Sequence, residues 1–203
     1  MTVKAWCNIV PASMRLGLKI RSRGEASIFT GAAVYSRAGG DIWIATLEFR
    51  ELNTREWMEL AGFLASLGGR TGAFALPDYT CWNQGGAGGQ MYLTGNANAT
   101  TATIVGVTGA SPHFKRGDRF SVLVDNKPRL HRVTEDAIAN WGQCTVNFEP
   151  PLRGTLTNAL VEFKRPKVTV GLATDDEAMF MAMPGADGPV VEQHTIAVEE
   201  RLP

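Results

Sequence analysis

Cysteine and net charge are the two features that this sequence most lacks. Its 203 residues include three cysteines, Cys7, Cys81 and Cys144, an odd and widely spaced set that predicts neither a disulfide framework nor a zinc site. Lysine and arginine together number 20, as do aspartate and glutamate, so the formal net charge is zero. A balanced charge gives no general attraction to nucleic acid or to an anionic membrane. We therefore predict no membrane partner and no specific nucleic-acid partner.

Long apolar runs are also missing. No stretch approaches the roughly 18 consecutive apolar residues that a membrane-spanning helix needs. The first residues, MTVKAWCNIVPASMRLGLKI, are interrupted by Asn8, Pro11 and Arg15, unlike the apolar core of a secretory signal. We therefore expect neither a membrane segment nor a secretory leader.

Sequence motifs for catalysis are absent as well. The three histidines, His113, His131 and His194, lack metal-ligand spacing, and no HExxH, GxSxG or CxxC motif occurs. We predict no metal, no cofactor and no enzymatic activity. The alternative is a hydrolase that assembles His131 with Glu135 or Asp136 in space, although no spacing in the sequence supports it.

Glycine, in contrast, is abundant, and 22 glycines with 10 prolines indicate many turns and a β-rich fold. One segment, LNTREWMELAGFLASLGGR, instead repeats apolar residues at the helical period of about 3.6. Asn53 and Glu56 have the spacing of a capping box, and Gly68 and Gly69 favour a left-handed exit. These signals predict a helix at about 54–67. Its predicted core-facing residues are Trp57, Leu60, Leu64 and Leu67.

The rest of the chain has the pattern of strands and turns. In DIWIATLEF the apolar residues Trp43, Ala45, Leu47 and Phe49 alternate with a mixed face, which predicts a half-buried strand. The glycine-rich segment 83–90 predicts a flexible loop. Short β-like runs follow it, separated by turn residues, and this pattern is typical of a small antiparallel barrel or sandwich.

These elements predict a mainly β chain in two parts. Residues 1–79 and 166–203 are expected to form a split β-barrel or sandwich with one packed amphipathic helix. Residues 80–165 are expected to form an inserted small antiparallel β-barrel or sandwich. A linear arrangement of two domains is the alternative.

The stretch HFKRGDRFSV contains the adhesion-like tripeptide Arg116-Gly117-Asp118. An adhesive tripeptide must be displayed at a loop tip, whereas Gly117 and Asp118 directly precede an alternating apolar run. We interpret Gly117 and Asp118 as a structural turn in which the aspartate bonds to the amides that follow it. Arg116 is interpreted as a solvated neighbour.

Basic residues cluster around the same turn. Phe114 and Phe120 are interleaved with them, as in a β-barrel that binds single-stranded nucleic acid. Because the chain is neutral and has no dense aromatic platform, we favour the exposed face of a β-hairpin. The basic residues are Lys115, Arg116, Arg119, Lys127, Arg129 and Arg132.

Two stretches together resemble a family of viral proteins. The first is IWIATLEFRELNTREWMELAGFLASLGGRTGAFALPD, in which a Trp-bearing strand precedes the helix and a Phe-x-Leu-Pro run. The second is the order FKRGDRFSV, PRLHRVTED and GQCTVNFEPPLR. Over about 42–153 this order resembles the minor tail proteins of long-tailed bacteriophages, in particular the distal-tail class.

The resemblance implies a virion structural protein at the tail tip, assembled in the host cytoplasm. Such a protein is expected to form a homo-oligomeric ring, a hexamer, that joins the tail tube to the tail-tip or baseplate hub. Its partners would be other tail proteins: tube, hub, tape measure, and receptor-binding or peripheral proteins. The chain termini are candidates for the ring contacts. The Met-rich stretch 178–183 is open to two interpretations, core or adaptable contact surface.

A binding module is the alternative function. The inserted β-domain would then recognise a host saccharide or another tail protein. Trp82, Tyr92, Phe114 and Trp141 are the candidate stacking residues, although aromatic residues in β-rich domains are more often part of the core.

Overall fold

The computed structural model describes residues 2–7, 9–26, 30–31, 33–37, 40–179 and 191–201. Within them the chain has one α-helix, α1 (Thr54–Ser66), and two 3-10 helices, Gly69–Thr71 and Asp175–Ala178. In chain order the strands are β1 (Val3–Ala5), β2 (Ser13–Lys19), β3 (Ser22–Ala26), β4 (Ala33–Arg37), β5 (Ile42–Leu52), β6 (Ala73–Pro77), β7 (Gly86–Gly88), β8 (Met91–Gly95), β9 (Thr101–Val105), β10 (Thr108–Ala110), β11 (Arg119–Val124), β12 (Lys127–Val133), β13 (Gln143–Glu149), β14 (Leu156–Glu162), β15 (Lys167–Leu172) and β16 (Val191–Glu200). The predicted fold class, mainly β with one packed helix and a small antiparallel barrel, is confirmed.

A six-stranded sheet combines strands from early and late parts of the chain. Its order is β1-β6-β15-β16-β5-β2, and only the β1–β6 pair is parallel. On β5 the side chains of Trp43, Ala45, Leu47 and Phe49 are buried, as the alternating pattern predicts. The strand therefore presents one apolar face to the core beneath the helix.

Helix α1 packs its apolar stripe against that face. The Asn53 side chain accepts the Glu56 amide at 3.0 Å and Glu56 accepts the Asn53 amide at 3.1 Å, which completes the capping box. Leu60 and Leu64 are fully buried, and Trp57 is half-buried against the same core. The helix ends at Ser66, so the buried Leu67 is its C-cap and Gly68 follows with a left-handed φ of 66°.

The strands β11-β12-β13-β9-β8-β14 close into a barrel. Aromatic rings fill its interior. The Phe120 and Phe148 rings meet edge to face with centroids 5.6 Å apart. The barrel lies in sequence between β6 and β15, which are neighbours in the sheet. Because the amide of Asp78 donates to the Pro166 carbonyl at 2.9 Å, the chain leaves and re-enters the sheet at one place.

The glycine-rich segment after β6 is not the flexible loop that its composition predicts. It contains β7, which pairs antiparallel with β10. A Cβ atom on Gly85 would overlap the His113 carbonyl, and one on Gly86 would overlap the Ala110 carbonyl. Glycine is therefore used here for close approach of two backbones and not for mobility.

Asp118 fixes this segment to the barrel. The residue is buried, and its carboxylate accepts the amides of Gln84 at 2.7 Å, Gly85 at 2.9 Å and Lys115 at 2.8 Å. The turn pattern instead predicts that Asp118 bonds to the amides of the residues that come after it in the chain. Gly117 before it has a φ of 95°, as the turn requires.

Arg116, interpreted from the sequence as a solvated neighbour, is exposed but bonded. Its Nε donates to the Thr134 carbonyl at 2.8 Å, and its amide donates to Asp136 at 2.7 Å. All three residues of the adhesion-like tripeptide therefore take part in the local structure of the barrel.

Strand β12 joins the barrel to the sheet. Arg129 and Glu200 form a buried ion pair at 3.3 Å, and the other Glu200 oxygen accepts the Trp43 amide at 3.0 Å. The Trp43 indole donates to the Leu130 carbonyl at 2.8 Å. Burial raises the pKa of the Glu200 carboxyl, while the guanidinium groups of Arg153 and Arg129 act in the opposite direction.

Replacing Glu200 by Gln should destabilise the protein strongly. The change leaves the Arg129 guanidinium buried without its counter-ion, and breaking such a pair costs about 3 kcal/mol or more. Urea unfolding followed by tryptophan fluorescence measures the loss. Glu199→Gln is the matched control, because Glu199 pairs with Arg201 at the half-exposed surface and such pairs contribute about 0–1 kcal/mol. Equal losses of unfolding free energy in the two variants would contradict a stabilising role for the buried Arg129–Glu200 pair.

Candidate interaction surfaces

The four aromatic residues proposed to stack on a ligand lie in different environments. Trp82 and Trp141 are 86% and 99% exposed. Tyr92 is half-buried on β8. Phe114 is fully buried, with its ring 5.2 Å from that of Phe163, so its interpretation as a stacking platform is wrong. Of the four candidates, Trp82 and Trp141 are therefore the two whose rings lie almost entirely in solvent.

Trp141 occupies the first central position of a two-residue turn. Asn140 and Gln143 exchange backbone hydrogen bonds at 2.8 and 3.0 Å, and Trp141 and Gly142 have φ values of 53° and 73°. Two positive φ values are typical of a type I′ turn, which favours Asn-Gly. A bulky residue disfavours this backbone region. Because the indole is also exposed to solvent, we do not expect it to stabilise this turn.

Outward-facing apolar residues form a row around the barrel. Val105 pairs with Tyr92, and Tyr92 pairs with Leu160. The register of β11 with β14 aligns Leu160 with Leu123. Leu123, Leu160 and Val105 are 39%, 39% and 36% exposed. Cross-strand neighbours lie about 4.5–5.5 Å apart, so the row is continuous, and at its far end Val105 pairs with Gln143 of the tryptophan turn.

An open cavity of about 320 Å³ lies at the opposite end of this row. Leu123, Pro128 and Leu160 contribute apolar lining, and Glu162 contributes a carboxylate. The Oε1 atom of Glu162 accepts the backbone amides of Lys164 at 2.9 Å and of Arg165 at 3.1 Å, which fixes the carboxylate. Ser121, Asn126 and Lys167 also line the cavity, which therefore combines an apolar wall with polar groups.

The six-stranded sheet offers a second kind of surface. In the part of the chain that the structure describes, β1 and β2 are its outermost strands. An open trough of about 460 Å³ crosses one face of the sheet over β2, β5 and β16, and it is lined by Gly17, Ile44 and Ala197 among others. Beyond β2 the hairpin β3–β4 pairs only with itself within the described ranges, and all five residues of β3 are exposed. Outer strands carry backbone donors and acceptors that another chain can pair with.

The cluster of basic residues is not the exposed hairpin face expected from the sequence. Arg119 pairs with the buried Asp78 at 2.7 Å, and Arg129 pairs with Glu200 inside the junction. The Arg132 guanidinium lies 5.2 Å from the centre of the Trp43 ring. These three cations are engaged within the chain, so the cluster does not form a continuous basic surface.

His131 lies inside the barrel, not beside the acids with which a hydrolase would combine it. Its Nδ1–H donates to the Pro150 carbonyl at 2.8 Å, and its ring stacks on Phe120. Glu135 accepts the Asn147 side chain at 2.8 Å. Burial lowers the pKa of His131 to about 4, so the ring is neutral and structural near neutral pH.

A small cleft of about 180 Å³ lies where the barrel meets the sheet. Arg129, His131, Arg153 and Glu200 line it. Their polar groups are used within the junction: Arg129 pairs with Glu200, and Arg153 donates to the Asp41 carbonyl. The cleft is therefore a structural junction and leaves few polar groups for a ligand.

Among the described residues, no three His, Cys, Asp or Glu side chains cluster closely enough to hold a metal ion. The same part of the chain contains no helix that is long and apolar enough to cross a membrane. The Met-rich stretch 178–183 lies outside the described residues from Phe180 onward, so neither of its two interpretations is decided.

In comparisons with known proteins, no protein-family model and no curated protein matches the chain. A functional assignment therefore depends on the surfaces above and on the order of the sequence motifs.

The free energy of unfolding should fall as the pH drops from 6.5 to 4. His131 has a folded pKa of about 4, so in this range the unfolded chain binds a proton that the folded protein excludes. A shift of this size corresponds to roughly 3 kcal/mol. Urea unfolding of wild type and His131→Gln across this range isolates the histidine, because the other groups titrate in both proteins. Equal pH slopes in the two proteins would contradict the prediction.

Trp141→Asn should stabilise the monomer or leave it unchanged. Asparagine tolerates the positive φ of this turn position, and relief of the strain is worth up to about 1 kcal/mol. Thermal unfolding measures the change. Trp82→Asn is the control, since Trp82 is also largely exposed but does not have a positive φ. A clear loss of stability in Trp141→Asn alone would show that the indole supports the fold.

Proposed function

We propose that this protein is a virion structural component at the distal end of a long, non-contractile phage tail. In this role it forms a ring that joins the tail tube to the tail-tip or baseplate hub and carries peripheral proteins. The proposal includes no catalytic step and no cofactor. Its partners are copies of itself and neighbouring tail proteins.

The observation that carries the proposal is the pair of unlike outer strands in the sheet. Strand β1 has three residues and runs parallel to its neighbour, whereas β2 has seven and runs antiparallel to β5. A ring needs a heterologous contact, in which each subunit offers two different patches to two neighbours. Outer strands of different length and direction on opposite sides of one sheet meet that requirement.

Two further features support the proposal. The combination of a helix-covered sheet with a small barrel agrees with the architecture that the motif resemblance implies. The exposed β3–β4 hairpin extends directly from the outer strand β2, where it can reach a neighbouring subunit. Its Tyr35 ring covers Gly24 on the paired strand, which stiffens the hairpin without burying it.

Saccharide recognition by the barrel is the second candidate, and the exposure of Trp82 and Trp141 favours it. A sugar site also needs polar groups that converge beside the stacking ring. The third candidate ring, Tyr92, has the apolar Leu160 and Val105 as its cross-strand neighbours. The barrel surface near Tyr92 therefore suits protein contact better than sugar binding.

Gly17→Glu should prevent assembly while leaving the subunit folded. Gly17 lies on β2 beside the trough, and a Cβ there meets no other atom within 4 Å. In a ring the added charge would be buried against a neighbour, which is strongly unfavourable. Native mass spectrometry and analytical ultracentrifugation of the full chain measure the assembly.

Gly62→Glu is the matched control, because Gly62 is exposed on α1 and also has open space around it. We expect wild type and Gly62→Glu to form the same closed oligomer and Gly17→Glu to lose it. A wild-type protein that stays monomeric at high concentration, and is absent from purified virions by mass spectrometry, would contradict the proposed function.

A further inference from the structure

The barrel carries a protruding aromatic side chain on one side and a cavity on the other. Trp141 stands in the turn that leads into β13, and Leu160 of β14 lines the cavity. The cavity is lined from β14, β11 and β12, whereas the Trp141 turn leads into the end of β13 that pairs with β9. The exposed row through Leu160, Tyr92 and Val105 separates the tryptophan from the cavity within one copy.

The conformation of Trp141 points to a partner outside the chain. Its indole is 99% exposed, and its φ of 53° is one that a bulky side chain disfavours. Strained, solvent-exposed positions of this kind are associated with binding and function. In an isolated monomer this ring is not packed against other side chains. We therefore look for its role in a contact that the monomer lacks.

The cavity fits an indole in size and chemistry. At about 320 Å³ it lies at the lower end of the roughly 300–1,000 Å³ typical of small-molecule sites. Leu123, Pro128 and Leu160 supply an apolar lining, and Glu162 supplies a fixed carboxylate acceptor. Tryptophan has an apolar body and a single N–H donor. The two features are complementary in both respects.

We propose that Trp141 of one copy inserts into the Leu123–Leu160 cavity of the next copy. The contact is heterologous, since each copy donates a ring on one side and receives one on the other. A buried Trp contributes about 150–250 Å², a fifth to a third of the roughly 800 Å² that a standard interface buries per partner. The exposed row through Leu160, Tyr92 and Val105 supplies apolar surface beside it.

This contact deepens the proposed function and rests on it. A head-to-tail contact forms a closed ring only when the rotation between copies allows it, and the proposed function supplies that ring. In such a ring the barrels would bind each other in addition to the sheets. The two contacts use different residues, so each can be removed without the other.

The test uses full-length chains that lack either half of the contact. Trp141→Asn removes the ring at a position where asparagine suits the backbone, and Leu160→Glu blocks the cavity with a charge. Each variant alone should lose about 30-fold or more in self-association, as expected for a tryptophan at the centre of an interface. Mixed together in the Gly17→Glu background, which removes the sheet contact, they should form a one-to-one pair, because one retains an intact cavity and the other an intact Trp141. Trp82→Asn is the control and should associate like wild type.

The outcomes separate this contact from the ring itself. If Trp141→Asn associates as strongly as wild type while Gly17→Glu loses assembly, the tryptophan contact is overturned and the ring proposal is supported. Pairing of the mixed variants without any closed wild-type oligomer supports the contact and overturns the ring. Unchanged assembly of Trp141→Asn with lost binding on a neutral glycan array overturns the contact in favour of a sugar site. If Leu160→Glu fails to fold, Leu123→Glu blocks the same cavity from the adjacent strand.

Discussion

The arrangement of the whole molecule depends on the buried pair between Arg129 and Glu200. The arginine lies on β12, a wall of the barrel, and the glutamate ends β16 of the sheet. Both charges are removed from water, so each is stable only beside the other. The second Glu200 oxygen holds the Trp43 amide, and the Trp43 indole returns to the barrel at Leu130. One strand thereby fixes the barrel against the sheet and sets the directions of all outer surfaces.

A second anchor lies where the chain passes from the sheet to the barrel. Asp78 pairs with Arg119, and the Asn83 amide donates to the carbonyls of Arg119 and Phe163, both at 2.6 Å. Beside them, the Asp118 carboxylate accepts hydrogen bonds from three backbone amides. This segment has the composition of a loop but forms a rigid connector. Short polar side chains bond to it, and its glycines allow close backbone approach. Together with the β12 junction, this connector holds the barrel against the sheet.

The polar groups described above are largely satisfied inside the chain, while the surfaces without partners are apolar or open-stranded. Interface cores are depleted of charged residues and enriched in aromatic ones, so this distribution agrees with the proposed assembly role. His131, whose pKa is strongly perturbed, faces a backbone carbonyl and two phenylalanine rings. Its environment belongs to the core of the barrel.

The sequence by itself determined the features that depend on local spacing. The capping box and apolar period of α1, the alternation of β5 and the mainly β class all follow from residues close together in the chain. The tertiary structure alone decided which arginines are buried, because their partners Asp78 and Glu200 are distant in sequence. It also decided the row from Leu123 to Val105, whose members are ordinary outward residues on separate strands. Strand register places them side by side, and register depends on pairing between distant segments that no local pattern specifies.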